Sequence, residues 1–175
     1  MNRRRASLHA ASLTRGASLA AATLVAVLTA CAAFAAVGVP AARDSALRGA
    51  SAAEIEARLR AYSRFVGRME QDSVAAMFTA DGEVAHAGGR AIRGRDSILV
   101  FLNSFRGFSV DSNRTMPDSI HVAGGRATQF GTFWQRVTLP DGRTVEASGL
   151  FEVRWVRERD GVWRIRRMAT RPRPH

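Results

Sequence analysis

Few side chains in this sequence have the chemistry to act on a ligand, and they are spread along it. His86 is the clearest, because an imidazole has an ordinary pKa of about 6.5 and a modest change of surroundings makes it an acid or a base near neutrality. Tyr62, the only tyrosine, supplies a phenol that can donate a hydrogen bond. Trp134 and Arg136 lie two apart and share one face of a predicted strand, with His121 on a neighbouring strand. An arginine beside a tryptophan can hold an anionic aromatic ligand by charge and stacking, or lie in solvent with its stem on the ring. Met69 and Met77 are flexible thioethers, suited to an adaptable cavity wall or to ordinary core filling.

Other chemistries are excluded by pattern. His9, His86, His121 and His175 show no paired ligand spacing, so no metal is expected. There is no G-x-S-x-G elbow, no glycine-rich phosphate loop and no dinucleotide fingerprint, so no cofactor is expected either. The formal charge is +11, and every one of the 26 basic residues is arginine. Setting aside Arg3, Arg4, Arg5 and Arg15 leaves 22 arginines against 15 acids, or +7. That balance favours anionic neighbours through a salt-screened field. No basic motif interleaved with aromatics appears, which argues against a nucleic-acid partner.

The first 30 residues read as an export signal. Residues 1–16 carry four arginines and no acid, and 17–30 are uncharged and apolar. Leu28, Thr29, Ala30 and Cys31 resemble the bacterial lipobox, in which the cysteine becomes the first mature residue and carries lipid. The resemblance implies a lipoprotein of the cell envelope, facing the periplasm and tied to the membrane through Cys31. Ordinary cleavage near Phe34 and Ala35 with secretion, an uncleaved single span within 17–42, or a chance cysteine in an alanine-rich run are the alternatives. Residues 31–50 are rich in alanine with Gly38, Pro40 and Gly49, and read as a tether.

The elements that must position the candidate residues follow in 51–170, with 171–175 as a tail. Ser51 and Glu54 fit a capping box, so a first helix is predicted from there to about Glu70. Its stripe is Ile55, Leu59, Tyr62, Val66 and Met69. A short second helix capped by Asp72 turns Val74, Met77 and Phe78 inward. Residues 83–86 and 90–93 form a hairpin around Gly88 and Gly89, and a third helix after Gly94 carries Ile98, Phe101 and Leu102. Strands are predicted at 108–114, 118–123, 127–139, 145–156 and 162–169, broken at Pro117, Gly124, Pro140 and Gly161. Helices first and an antiparallel meander after them make an α+β domain.

The order of these elements, with Tyr62, Met77 and Phe78 before Asp81, the set Ile92, Gly94, Arg95 and Ile98, and the run Ser148, Gly149, Phe151, Trp155, Asp160, Gly161, Trp163 and Ile165, resembles the nuclear-transport-factor-2-like superfamily. The resemblance is to its SnoaL-like and ketosteroid-isomerase-like branch. It implies a cone-shaped curved antiparallel sheet wrapped over three N-terminal helices, a ligand cavity at the open end, and often a homodimer. In the steroid-isomerase members a tyrosine on the first helix supports the oxyanion hole, and Tyr62 matches it. The general-base position falls on His86. The protonated-acid position falls on or near Phe151, which cannot donate, so steroid isomerisation by that arrangement is not implied.

The sequence therefore predicts a small apolar molecule bound among Tyr62, Met69, Met77, His86, Trp134 and Phe151. Acid–base catalysis by His86 with Tyr62 is the second reading. A dimeric envelope interaction module, its cavity filled by its own side chains, is the third.

Overall fold

The computed structural model describes residues 16–173, with side chains from Ala42 onward. The Cys31 side chain therefore lies outside the described residues. Among the residues whose side chains are described, no helix is long and apolar enough to cross a membrane. The chain divides between Ala46 and Leu47 into two units, and the second carries the sheet.

Helix α1 spans Gly16–Gly67. It passes straight through Ser51, so the predicted start there is wrong: the alanine-rich run upstream is the best of helix formers, and Gly49 alone does not break it. Glu54 is not used as a cap either, since its Oε2 accepts the Trp163 indole N–H at 3.0 Å. The predicted stripe does face the sheet. Ile55 and Leu59 are sealed in the core, while Tyr62 and Val66 are half-buried. The helix ends in a Schellman motif, with Glu70 N–H donating to Phe65 O at 2.9 Å and Met69 N–H to Val66 O at 3.1 Å.

Helix α2 (Gln71–Ala76) stops before Phe78, which opens strand β1 (Phe78–His86) instead of closing the helix. β1 pairs with the short β2 (Ile92–Arg93) as the predicted hairpin. Gly94, at φ 89°, turns the chain into α3 (Arg95–Asn103), and the Arg95 guanidinium donates twice to Phe78 O, at 3.0 and 2.6 Å.

Strands β3 (Ser109–Ala123), β4 (Arg126–Thr138), β5 (Thr144–Arg157) and β6 (Trp163–Arg171) complete a curved, unclosed sheet of order β2-β1-β6-β5-β4-β3. Two expectations are corrected here. Pro117 does not end a strand: β3 is one element that runs through it with a register shift between Pro117 and Ser119. An edge strand tolerates a proline, because one side of its ladder is unpaired, and the irregularity bends it. Nor is the sheet wholly antiparallel, because β1 and β6, second and third in its order, pair in parallel. The tight core gathers Ile55, Leu59, Ile98, Val153, Trp155, Trp163 and Ile165 against one another.

Candidate functional site

Toward its C-terminal end the α1 stripe still leans on that core through Tyr62 and Val66, but it also faces open space. A cavity of about 470 Å³ opens between the C-terminal half of the stripe, α3 and the concave face of the sheet. Its wall is mostly aromatic and aliphatic, with Phe65, Phe101, Phe105, Phe108, Phe133 and Phe151 among its residues. Three of these rings continue from His86 as a chain of ring contacts, the first tilted and the next two edge-to-face: His86 to Phe101 at 5.9 Å between centroids, Phe101 to Phe105 at 5.0 Å, and Phe105 to Phe108 at 5.6 Å. Such tilted and edge-to-face pairs are favourable ring geometries.

Two glycines keep the space open. Gly131 pairs with Phe151 across β4 and β5, and Gly149 pairs with Phe133 one step along. A Cβ at Gly131 would stand 2.5 Å from the Phe151 ring and 2.3 Å from Met116 O; one at Gly149 would stand 2.3 Å from Arg171 O and 3.0 Å from the Phe133 ring. Each phenyl ring thus lies over a bare backbone, flat against the sheet, where a larger residue would push it out into the cavity.

Most of the wall is apolar, and Glu70, Gln71 and Gln135 are among its polar side chains. The Tyr62 hydroxyl has no hydrogen-bond partner among the described residues, and burial pushes its phenol up to about 12, since the enclosed apolar cavity solvates a phenolate poorly. The group therefore stays protonated and can only donate or accept as a neutral hydroxyl at ordinary pH. The exposed imidazole of His86 bonds through Nδ1 to Thr170 Oγ1 at 2.8 Å, which leaves Nε2 without a partner among the described residues. Elsewhere on the wall the Ser63 and Thr115 hydroxyls bond at 2.6 Å, and Asn113 Nδ2 donates to Ser63 O at 2.8 Å, which ties β3 to α1.

Residues 48–169 match the family described as the SnoaL-like domain. The chain belongs to that family. Solved structures similar to this SnoaL-like chain include a ketosteroid isomerase-like protein from Erwinia carotovora atroseptica SCRI1043, with a TM-score of 0.63 at 21% identity over 70% of this chain and 96% of that one. An NTF2-like protein with a cystatin-like fold from Novosphingobium aromaticivorans gives 0.58 at 18% identity, over 73% and 86%. A Catenulispora acidiphila protein solved in complex with S-DNPA gives 0.58 at 19% identity, over 70% and 93%. No curated protein matches the chain.

Of the residues singled out in sequence, this SnoaL-like domain brings Tyr62, Met69, His86 and Phe151 to one cavity. Met77 is not there: it is 2% exposed and packed in the tight core beside Phe78. The short α2 ends one residue before it, so helical spacing cannot carry its side chain to the wall. Trp134 borders the cavity, but strand alternation sends its indole to the other face of the sheet, opposite Phe133 and Gln135. There Nε1 donates to Glu146 Oε2 at 3.2 Å, and Arg136 holds Glu146 Oε1 at 2.7 and 3.0 Å with its guanidinium 5.8 Å from the indole centroid. Glu146 is kept below the usual carboxylate range by those Arg136 and Trp134 bonds. The cation beside Trp134 is thus already matched by an anion, and His121 sits away from both, 6.5 Å from Phe130. No anion site forms from that trio.

Sequence reasoning missed Ser63 on α1, and it missed Asn113, Thr115 and Thr170, whose only signal was strand alternation onto the concave face. It also missed Gln129, fully buried, whose Oε1 accepts from the Trp155 indole N–H at 3.1 Å while Nε2 finds no partner.

Proposed function

We propose that this SnoaL-like domain binds a small, largely apolar, uncharged molecule in its cavity, and that the domain is exported and held at a membrane through lipid on Cys31. The observation that carries the binding reading is the cavity of about 470 Å³, within the range of small-molecule sites, with a mostly apolar wall rich in phenylalanines. Arg114, the one arginine on its border, belongs to the convex face by strand alternation, so no guanidinium projects inward to match an anionic ligand. The Catenulispora relative, solved with S-DNPA, supports a ligand-holding use of the fold.

A second reading has one specific observation in its favour. Tyr62 carries a neutral, unpartnered donor, and His86 presents an unoccupied ring nitrogen to the same cavity. Together they can stabilise a developing oxyanion and move a proton.

The binding reading is tested by melting the full chain with a panel of hydrophobic metabolites, wild type beside His86→Ala. A ligand of the native state raises the melting temperature with concentration by mass action. Absence of any concentration-dependent shift across the panel refutes the cavity reading. Turnover of a hit by wild type and not by His86→Ala establishes the second reading over the first. Anchoring is tested by fractionation: wild type pellets with membrane and Cys31→Ala does not.

A further inference from the structure

The α1–α2 corner holds an anomaly. Met69 has φ 54°, and it is the one non-glycine residue with positive φ among those described. Its place is the C′ position of the Schellman motif that closes α1, where glycine is the usual occupant because a Cβ collides with the backbone in the left-handed region. The two Schellman bonds, at 2.9 and 3.1 Å, use backbone atoms alone and need nothing from a side chain here. A glycine would serve the corner better than a methionine.

What the methionine side chain reaches is the cavity. Met69 lines it, between Val66 of α1 and Glu70 and Gln71 at the start of α2. It is absent from the packed core and from the residues that lean on it, whereas its stripe neighbours Tyr62 and Val66 are among them. The thioether therefore does little for folding and faces the space a ligand would fill.

We infer that Met69 is a specificity-determining contact for the bound molecule, kept in a strained position because its thioether packs against an aromatic ring of the ligand. This rests on the binding reading above and narrows its ligand class to a neutral molecule carrying a flat ring. Sulfur over or beside a ring is a favourable contact, and an unbranched thioether adapts to ring edges that a rigid wall does not.

The test compares wild type, Met69→Gly and Met69→Leu as full chains, with 2-naphthol as the probe, by calorimetric titration and by melting without ligand. Met69→Gly is expected to melt about 2–5 °C higher, through relief of the left-handed backbone. It is also expected to bind 2-naphthol about three- to tenfold more weakly, the loss of one sulfur–ring contact. Met69→Leu keeps the bulk and the backbone cost, and is expected to melt like wild type and bind between the two. If Met69→Gly binds like wild type, the inference is overturned and the cavity reading stands. If Met69→Gly melts lower than wild type, the side chain serves packing and the inference is likewise overturned. If wild type itself fails to bind 2-naphthol, the ring-bearing ligand class falls, and the metabolite panel then decides the cavity reading on its own.

Discussion

One apolar stripe on α1 crosses two very different regions. At its N-terminal end Ile55 and Leu59 meet Trp155, Trp163 and Ile165 in a core with almost no exposure. At its C-terminal end Tyr62, Val66 and Met69 meet a cavity of about 470 Å³. Helical periodicity is the same in both, so the stripe does not decide which end is filled. The facing strands do: two indoles project against one end, while Gly131 and Gly149 let Phe151 and Phe133 lie down at the other. The domain thus packs one half of a continuous apolar layer and leaves the other half open as a cavity.

The sealed half is where substitution should cost most. Trp155→Ala removes a fully buried indole and strands Gln129 Oε1, and is expected to destabilise the domain by about 3–5 kcal/mol in denaturant titration. Ile55→Ala should fall at about 2–5 kcal/mol. Val66→Ala, on the same stripe but facing the cavity, is expected to cost no more than about 1 kcal/mol. Equal costs for Ile55→Ala and Val66→Ala would erase the distinction between the two ends.

The glycines give the next effect. Gly131→Ala puts a methyl into the Phe151 ring and against Met116 O, a backbone atom that cannot swing aside. A loss of about 1–3 kcal/mol is expected, together with a smaller cavity that binds any ligand less well. A variant as stable as wild type and with unchanged binding would mean that the flat Phe151 is not what holds the space open.

Tyr62 reports on the boundary between the halves without any change in sequence. As the only tyrosine it can be titrated by its phenolate absorbance, and the midpoint is expected near 12 rather than at the ordinary tyrosine value. Because the folded state holds this proton more tightly than the unfolded one, stability is unaffected below about pH 10 and falls as pH rises from there toward 12. Tyr62→Phe should flatten that fall, and a bound ligand that accepts from the phenol should shift the midpoint.

Much of this architecture was legible in the chain. Period-two runs placed β4, β5 and β6 to within about two residues, and Gly94 with Ile98, Phe101 and Leu102 placed α3. The reading failed where a local signal was overruled by its surroundings. Ser51 and Glu54 have capping-box spacing, but alanines upstream continue the helix through them. Pro117 has the look of a break, yet an edge strand absorbs it in a register shift. Trp134 was one residue out of phase with the cavity, a difference that only the register with β5 fixes. Gly131 carried no signal of its own and Gly149 only a place in the family resemblance, because a glycine opposite an aromatic acquires its spatial meaning only once the two strands are paired.

The smallest expected effect tests the opposite surface of the same sheet. On the convex face a ribbon of alternating charge crosses four strands: Arg93 to Glu83 at 3.0 Å, Glu83 to Arg167 at 2.9 Å, Arg167 to Glu152 at 3.9 Å and Glu152 to Arg154 at 2.7 Å. The Arg167 hydrogen bond, with Arg93 beside it, holds the Glu83 carboxyl below the usual glutamate range. Its contribution is therefore complete above that range and lost as pH falls through the lowered folded value. Glu83→Gln is expected to cost less than about 1 kcal/mol, since arginine heads open to water gain little from pairing, and the cost should shrink further in high salt. The variant should also lose part of the acid sensitivity of wild type. A larger, salt-insensitive loss would make the ribbon a structural brace of the sheet, and the sealed half of the concave face would no longer be the main seat of stability.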